Sequence, residues 1–308
     1  MENKEMDQAG SLREMVKGET DRIRKRGRDN DEGSSSATTM PRVIAISSGK
    51  GGVGKTNVVG NLAVACQRMG KRVLIFDADL GLANIDIIFG ISPKHTIEEV
   101  IRGEKELSQI IVKGPEKVSL IPASSGVHEL THLTEGQKIH LLSEFDILNN
   151  NFDILLIDTS AGISSNVIYF NLAAEERIVV VTPEPTSITD AYALIKVMFF
   201  QHGTKSFSLL INMVRDEREA KSVYQSLSKV VARFMGGISI DYAGFIPWDS
   251  LLQEAVIRRK PVVCCYPETP SATSFKDLAR NLLMQTTDRP IDGNIKFFWQ
   301  RLMSGAVE

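Results

Sequence analysis

The chain has 308 residues, 43% of them apolar and 24% charged, with a formal net charge of -2. That length and apolar content suffice for one large α/β domain with a substantial core, plus appendages. The near-neutral balance argues against a protein whose main work is coating nucleic acid, so DNA binding is not expected.

The three cysteines, Cys66, Cys264 and Cys265, lack the Cys-x-x-Cys spacing of a zinc or iron-sulfur site, and all three read as small core residues. The charged N-terminus has no apolar run of the signal-peptide kind, and no segment approaches the roughly 20 apolar residues of a membrane span. A cytoplasmic protein is expected.

Three regions follow one another. Residues 1–40 run from a short helix-like patch through the basic stretch 22–28 into the acidic and serine-rich stretch 29–36. Such a composition buries too little apolar surface to order itself and reads as a flexible linker. The basic stretch reads as solvated, with a weak contact to anionic lipid or nucleic acid as the alternative.

From residue 41 to 290 the pattern alternates between strand and helix. Short, continuous, β-branched runs at 43–46, 73–76, 118–121, 154–157, 178–181 and 209–211 predict strands buried on both faces of a parallel sheet. Helix-period segments at 56–69, 137–148 and 187–201 lie between them. Together they predict a doubly wound, mostly parallel sheet with helices on both faces, binding its ligand beyond the carboxyl ends of the strands. Asp288-Arg289-Pro290 marks a boundary before the third region, residues 291–308.

Between the first strand and the first helix lies Gly49, Lys50, Gly51, Gly52, Val53, Gly54, Lys55 and Thr56. This Gly-x-x-x-x-Gly-Lys-Thr loop sits in the strand-loop-helix context that a phosphate cradle requires. Its glycines let backbone N–H groups face phosphates, and the helix N-terminus, running on into Asn57, adds partial positive charge. Lys55 would reach the β- and γ-phosphates and the Thr56 hydroxyl would ligate Mg²⁺, so ATP, ADP and Mg²⁺ are the expected ligands.

With Lys50 the loop resembles the deviant Walker A motif of the MinD/ParA (SIMIBI) ATPases. That resemblance implies an ATP-dependent homodimer in which Lys50 acts in trans on the partner's nucleotide. A lysine held there needs a compensating anion, which the partner's phosphates would supply. The resemblance also marks Asp79, in Phe76-Asp77-Ala78-Asp79, as the carboxylate that orients or activates the attacking water. Asp77 would sit near Mg²⁺ or hold the loop. Ile157-Asp158-Thr159-Ser160-Ala161-Gly162 looks like the Walker B and switch II segment, with Asp158 binding Mg²⁺ through water. Ser160 stands where relatives often carry Ala or Pro, a change expected to matter little.

No Asn-Lys-x-Asp sequence is present, so a guanine-specific reading lacks its element. Asn212 and Asp249 lie where the family contacts adenine, and both are assigned to base recognition; Asn212 is equally suited to a turn.

In the tail, Ile295, Phe298, Trp299, Leu302 and Met303 form one apolar stripe of a short helix, with Lys296, Gln300 and Arg301 opposite. Such a helix suits an anionic membrane surface; docking onto the domain itself is the alternative. Two weak anchors brought together by dimerisation would bind by avidity.

Two further stretches resemble the flagellar number regulators of the family, the FlhG or FleN branch. Asp7-Gln8-Ala9-Gly10-Ser11-Leu12-Arg13 is similar to that branch's N-terminal Asp-Gln-Ala-x-x-Leu-Arg element, and residues 183–192 also look like it. The resemblance implies that Asp7, Gln8, Ala9, Leu12 and Arg13 engage the GTPase FlhF and stimulate it. It further implies slow regulatory hydrolysis, a place on the inner face of the cytoplasmic membrane, at the cell pole, and contacts with a flagellar transcription regulator and C-ring proteins. A division-site MinD protein is the nearest alternative and a DNA-segregating ParA protein a more distant one.

Overall fold

The computed structural model describes residues 41–79, 84–122, 134–148 and 151–284. The Asp7–Arg13 motif, the tail stripe and residues 80–83, directly after Asp79, lie outside them.

Eight strands form one sheet in the order β3-β4-β2-β5-β1-β6-β7-β8. They are β1 (Arg42–Ser48), β2 (Val73–Ala78), β3 (Val112–Lys113), β4 (Ser119–Ile121), β5 (Ile154–Ala161), β6 (Glu176–Val181), β7 (Ser206–Val214) and β8 (Ser239–Pro247). Every pairing is parallel except that of β3 with β4. The sheet is therefore doubly wound and mostly parallel, as the continuous apolar runs predicted.

All six predicted strands are present, and β3 and β8 are additional. β8 escaped the sequence reading because it is an edge strand of mixed burial, Ser239 and Asp241 exposed and Ile246 buried, with no continuous apolar run.

The helices are α1 (Lys55–Arg68), α2 (Ile85–Phe89), α3 (Ile97–Ile101), α4 (Leu107–Ile110), α5 (Glu135–Leu148), α6 (Ser165–Ala173), α7 (Pro185–His202), α8 (Glu217–Phe234), α9 (Ser250–Ile257), α10 (Val262–Cys265) and α11 (Pro270–Met284). α1, α5 and α7 match the three predicted helices within two residues at each end.

The two-residue alternation of β1 divides the core. Ile44 and Ile46 face α1 and α11, whereas Val43 and Ala45 face the layer that includes α5 and α6. α1 is buried over most of its length, including Val58, Val59, Leu62, Ala63, Val64 and Cys66. It runs straight from the phosphate loop into the core, so the loop is anchored at both ends.

Cys66 fits the core role expected of it. Cys264 and Cys265, on α10, are half-buried and pack against the same core cluster that holds Cys66.

β1 has β5 on one side and β6 on the other, and the chain crosses to opposite edges from it. That is a topological switch point, where the loops after adjacent strands part and leave a crevice.

Candidate nucleotide-binding site

The crevice beyond β1 is a cleft of about 700 Å³ lined by Ser48, Lys50 through Asn57, Asp79, Asn84, Ser160, Ala161 and Met213, among others. Its volume is within the range of small-ligand sites.

Close packing shapes the loop. A Cβ on Gly49 would lie 2.1 Å from the Asp190 carbonyl carbon in α7, so only glycine lets the chain leave β1 against that helix. Gly54 has φ +83, and a Cβ there would meet the Asn212 Nδ2 at 2.6 Å. The same Nδ2 donates to the Val53 carbonyl at 2.7 Å. Asn212, buried at the end of β7, thereby clamps the loop from the side.

The two lysines have different surroundings. The Lys55 side chain is 7% exposed and pairs with Asp158 Oδ1 at 2.5 Å. Lys50 lies at the mouth, 37% exposed, donating to Glu184 Oε2 at 2.6 Å and to the Thr186 hydroxyl at 2.9 Å. The anion expected from a partner is supplied here by the chain's own Glu184. The Ser48 hydroxyl also donates to the Lys50 carbonyl at 2.9 Å.

Strand register collects the acidic groups. β2 and β5 pair Asp77 with Asp158, on the face that carries Ile75 and Leu156 toward α1. Two residues further along, Asp79 just past the end of β2 and Ser160 within β5 both line the cleft. The Ser160 hydroxyl donates to Asp79 Oδ1 at 3.0 Å, a contact that the expectation of little consequence does not account for.

Asp77 holds the loop with both oxygens. Oδ1 accepts the Asp79 N–H at 3.3 Å, and Oδ2 accepts those of Asn84 and Ile85 at 3.1 and 3.2 Å. Burial, helped by the Asp158 carboxylate and opposed by these N–H groups, pushes Asp77 up to about 7. Burial likewise raises Asp158, against the pull of Lys55 and the Thr56 hydroxyl.

Asp158 Oδ2 is buried without a hydrogen-bond partner. An unmatched carboxylate oxygen with the Thr56 hydroxyl on the same side is an oxygen-only donor set, which fits Mg²⁺. Thr159 points to the opposite face, where its hydroxyl donates to Ser47 Oγ at 3.0 Å and Asn171 Nδ2 reaches that oxygen at 2.7 Å.

Beside the cleft a smaller recess is lined by Gly54, Asn57, Val58, Asn212, Met213, Pro247, Trp248, Asp249, Leu252, Gln253 and Phe275. The expected base contact Asp249 is already committed to two helix N-termini. Its Oδ1 accepts the Leu251 N–H at 2.9 Å in α9, and its Oδ2 accepts the Ser271 hydroxyl at 2.6 Å in α11. Burial opposes the charge, but these donors prevail and hold its carboxyl below the usual range.

Glu184, Thr186 and Asp190 escaped the sequence reading as site residues. They follow β6, more than 130 residues beyond Gly49 and Lys50, and only the adjacency of β6 to β1 brings them to the loop.

Comparisons with known proteins agree with this geometry. A family model described as ParA: NUBPL iron-transfer P-loop NTPase matches residues 39–283. Antiactivator FleN of Pseudomonas aeruginosa is 41% identical over 262 residues, 85% of this chain and 93% of that protein. Flagellum site-determining protein YlxH of Helicobacter pylori is 34% identical over 266 residues, 85% and 90% of the two chains. Among solved structures, MinD of Pyrococcus horikoshii complexed with Mg-ADP has a TM-score of 0.63 at 28% identity, covering 79% of this chain and 96% of that one. The MinC:MinD cell division protein complex of Aquifex aeolicus has a TM-score of 0.65 at 27% identity, covering 81% and 98%. The phosphate loop, the strand-end carboxylates and these likenesses agree, and the chain belongs to the ParA family of P-loop NTPases, with FleN, YlxH and MinD proteins as relatives.

Proposed function

We propose that this chain is an ATP-driven switch of the FleN/FlhG kind, which dimerises on ATP, hydrolyses it slowly, associates with the membrane and regulates flagellar number or placement. The observation that carries the reading is Lys50. A lysine at the cleft mouth, held only by side chains that solvent also reaches, is free to exchange Glu184 for phosphates brought by a second copy. An ion pair so exposed is worth little, so the exchange costs little.

In this reading Lys55 and the loop N–H groups hold the β- and γ-phosphates. Thr56 and Asp158 hold Mg²⁺, which neutralises charge as the phosphoryl group leaves. Asp79 orients the attacking water, and Asp77 keeps the segment bearing Asp79 in place. The recess walled by Pro247, Trp248, Leu252 and Phe275 takes the adenine, with Asn212 at its edge and Asp249 bracing the two helices beneath.

The remaining parts rest on sequence likeness. The Asp7–Arg13 motif would act on the GTPase FlhF, and a flagellar transcription regulator and C-ring proteins are further partners. The tail stripe would hold the dimer to an anionic membrane at the cell pole; among the described residues no helix is long and apolar enough to cross one. Iron transfer, named by the family model, is disfavoured because the chain has no Cys-x-x-Cys.

Asp79→Ala should keep ATP binding, slow hydrolysis and trap the dimer. A monomer on size exclusion in saturating ATP would refute the switch. Removal of residues 293–308 should abolish ATP-dependent sedimentation with liposomes. Deletion of the gene should change the number of flagella per cell; minicells with normal flagella would instead favour a division-site role.

A further inference from the structure

A side-chain hydrogen bond joins Ser160 to Asp79 across the cleft. The β2–β5 ladder pairs Asp77 with Asp158 and ends with Ala78 and Thr159, and Asp79 and Ser160 come directly after that last pair. Both line the cleft, and the hydroxyl donates to Asp79 Oδ1 at 3.0 Å across 81 residues of sequence. The backbone N–H of Asp79 meanwhile donates to Asp77 Oδ1. One side of the Asp79 residue is thus fixed through its main chain and the other through its carboxylate.

We infer that Ser160 is a positioning residue, whose hydroxyl sets the rotamer of the Asp79 carboxylate and ties the segment after β2 to the end of β5. This rests on the reading of Asp79 as the group that orients water. The hydrogen bond adds a side-chain link between the residue after β2 and the end of β5, beside the main-chain link that Asp77 makes. Alanine at 160 has no donor and leaves Asp79 to choose among rotamers, only some of which face the water. The loss falls on the chemical step, because displacement of a reacting group by about 1 Å costs up to roughly 100-fold in rate. Nucleotide affinity is set elsewhere in the cleft, by the loop and Lys55.

The test compares Ser160→Ala, Ser160→Thr and Asp79→Ala with the wild-type full chain. With Mg-ATP, Ser160→Ala should lower kcat roughly tenfold with KM changed by less than about twofold, and Ser160→Thr should restore kcat. Independently, backbone amide exchange over residues 79–85 of the nucleotide-free protein should be faster in Ser160→Ala and normal in Ser160→Thr. Either readout staying at wild type overturns the proposal, as does a rise in KM at constant kcat. If Asp79→Ala hydrolyses like wild type, the catalytic reading of Asp79 has failed, and the exchange rates still decide whether the tether exists.

Discussion

Gly49→Ala isolates a steric demand that has nothing to do with phosphate. A Cβ at this position would stand 2.1 Å from the Asp190 carbonyl carbon, 2.2 Å from its oxygen and 2.5 Å from the Ala191 nitrogen. Ordinary contact begins at 3.4 Å, so the methyl group is about 1.3 Å short of room. The obstructing atoms are helix backbone and cannot rotate away; either the loop or the first turns of α7 must shift. Overpacking of this kind costs about 3 kcal/mol, which lowers Tm by roughly 6–12 °C in a domain of this size. Because the loop carries the phosphate-binding N–H groups, nucleotide affinity should fall as well.

Gly51→Ala is the control. Nothing lies within 4 Å of its Cβ and its φ is not positive, so stability should change by less than about 0.5 kcal/mol. Scanning calorimetry and titration with a fluorescent ATP analogue measure both variants. A Gly49→Ala protein that melts and binds like Gly51→Ala would refute the claim that α7 dictates this glycine.

Three further expectations follow from the same geometry. Glu184→Gln frees Lys50 from its resident anion, so ATP-dependent dimerisation measured by light scattering should strengthen, by up to roughly fivefold; weaker dimerisation would show that Glu184 serves the dimer directly. Asp249→Ala removes the cap of α9 and its link to Ser271, and should cost about 1–2 kcal/mol, a Tm loss of roughly 2–8 °C with or without nucleotide. Burial drives the Cys66 thiol up to about 12, which keeps it protonated and inert. A protein with Cys264 and Cys265 replaced by Ser should therefore give no reaction with Ellman's reagent at pH 8 until denaturant is added.

The fold and the phosphate cradle were legible in the sequence because both are local. Continuous β-branched runs mark strands covered on both faces, and a glycine-lysine-threonine loop between strand and helix has one main physical use. The weakly patterned elements were not legible. β8 alternates at an edge, and the four-residue α10 is too short to show a helical period.

What only the tertiary structure decided is which side chains meet. Nothing within the sequence links Lys50 to Glu184, Asp158 to Lys55 or Ser160 to Asp79; strand order and register do. Asp249 lines the recess beside the cleft, and the fold also gives its oxygens to two helix starts, which the sequence alone did not show. Residue types by themselves determined that this chain handles phosphates. The pairing of β2 with β5 and of β1 with β6 decided which groups surround them, since a parallel sheet brings together strand ends that lie far apart along the chain.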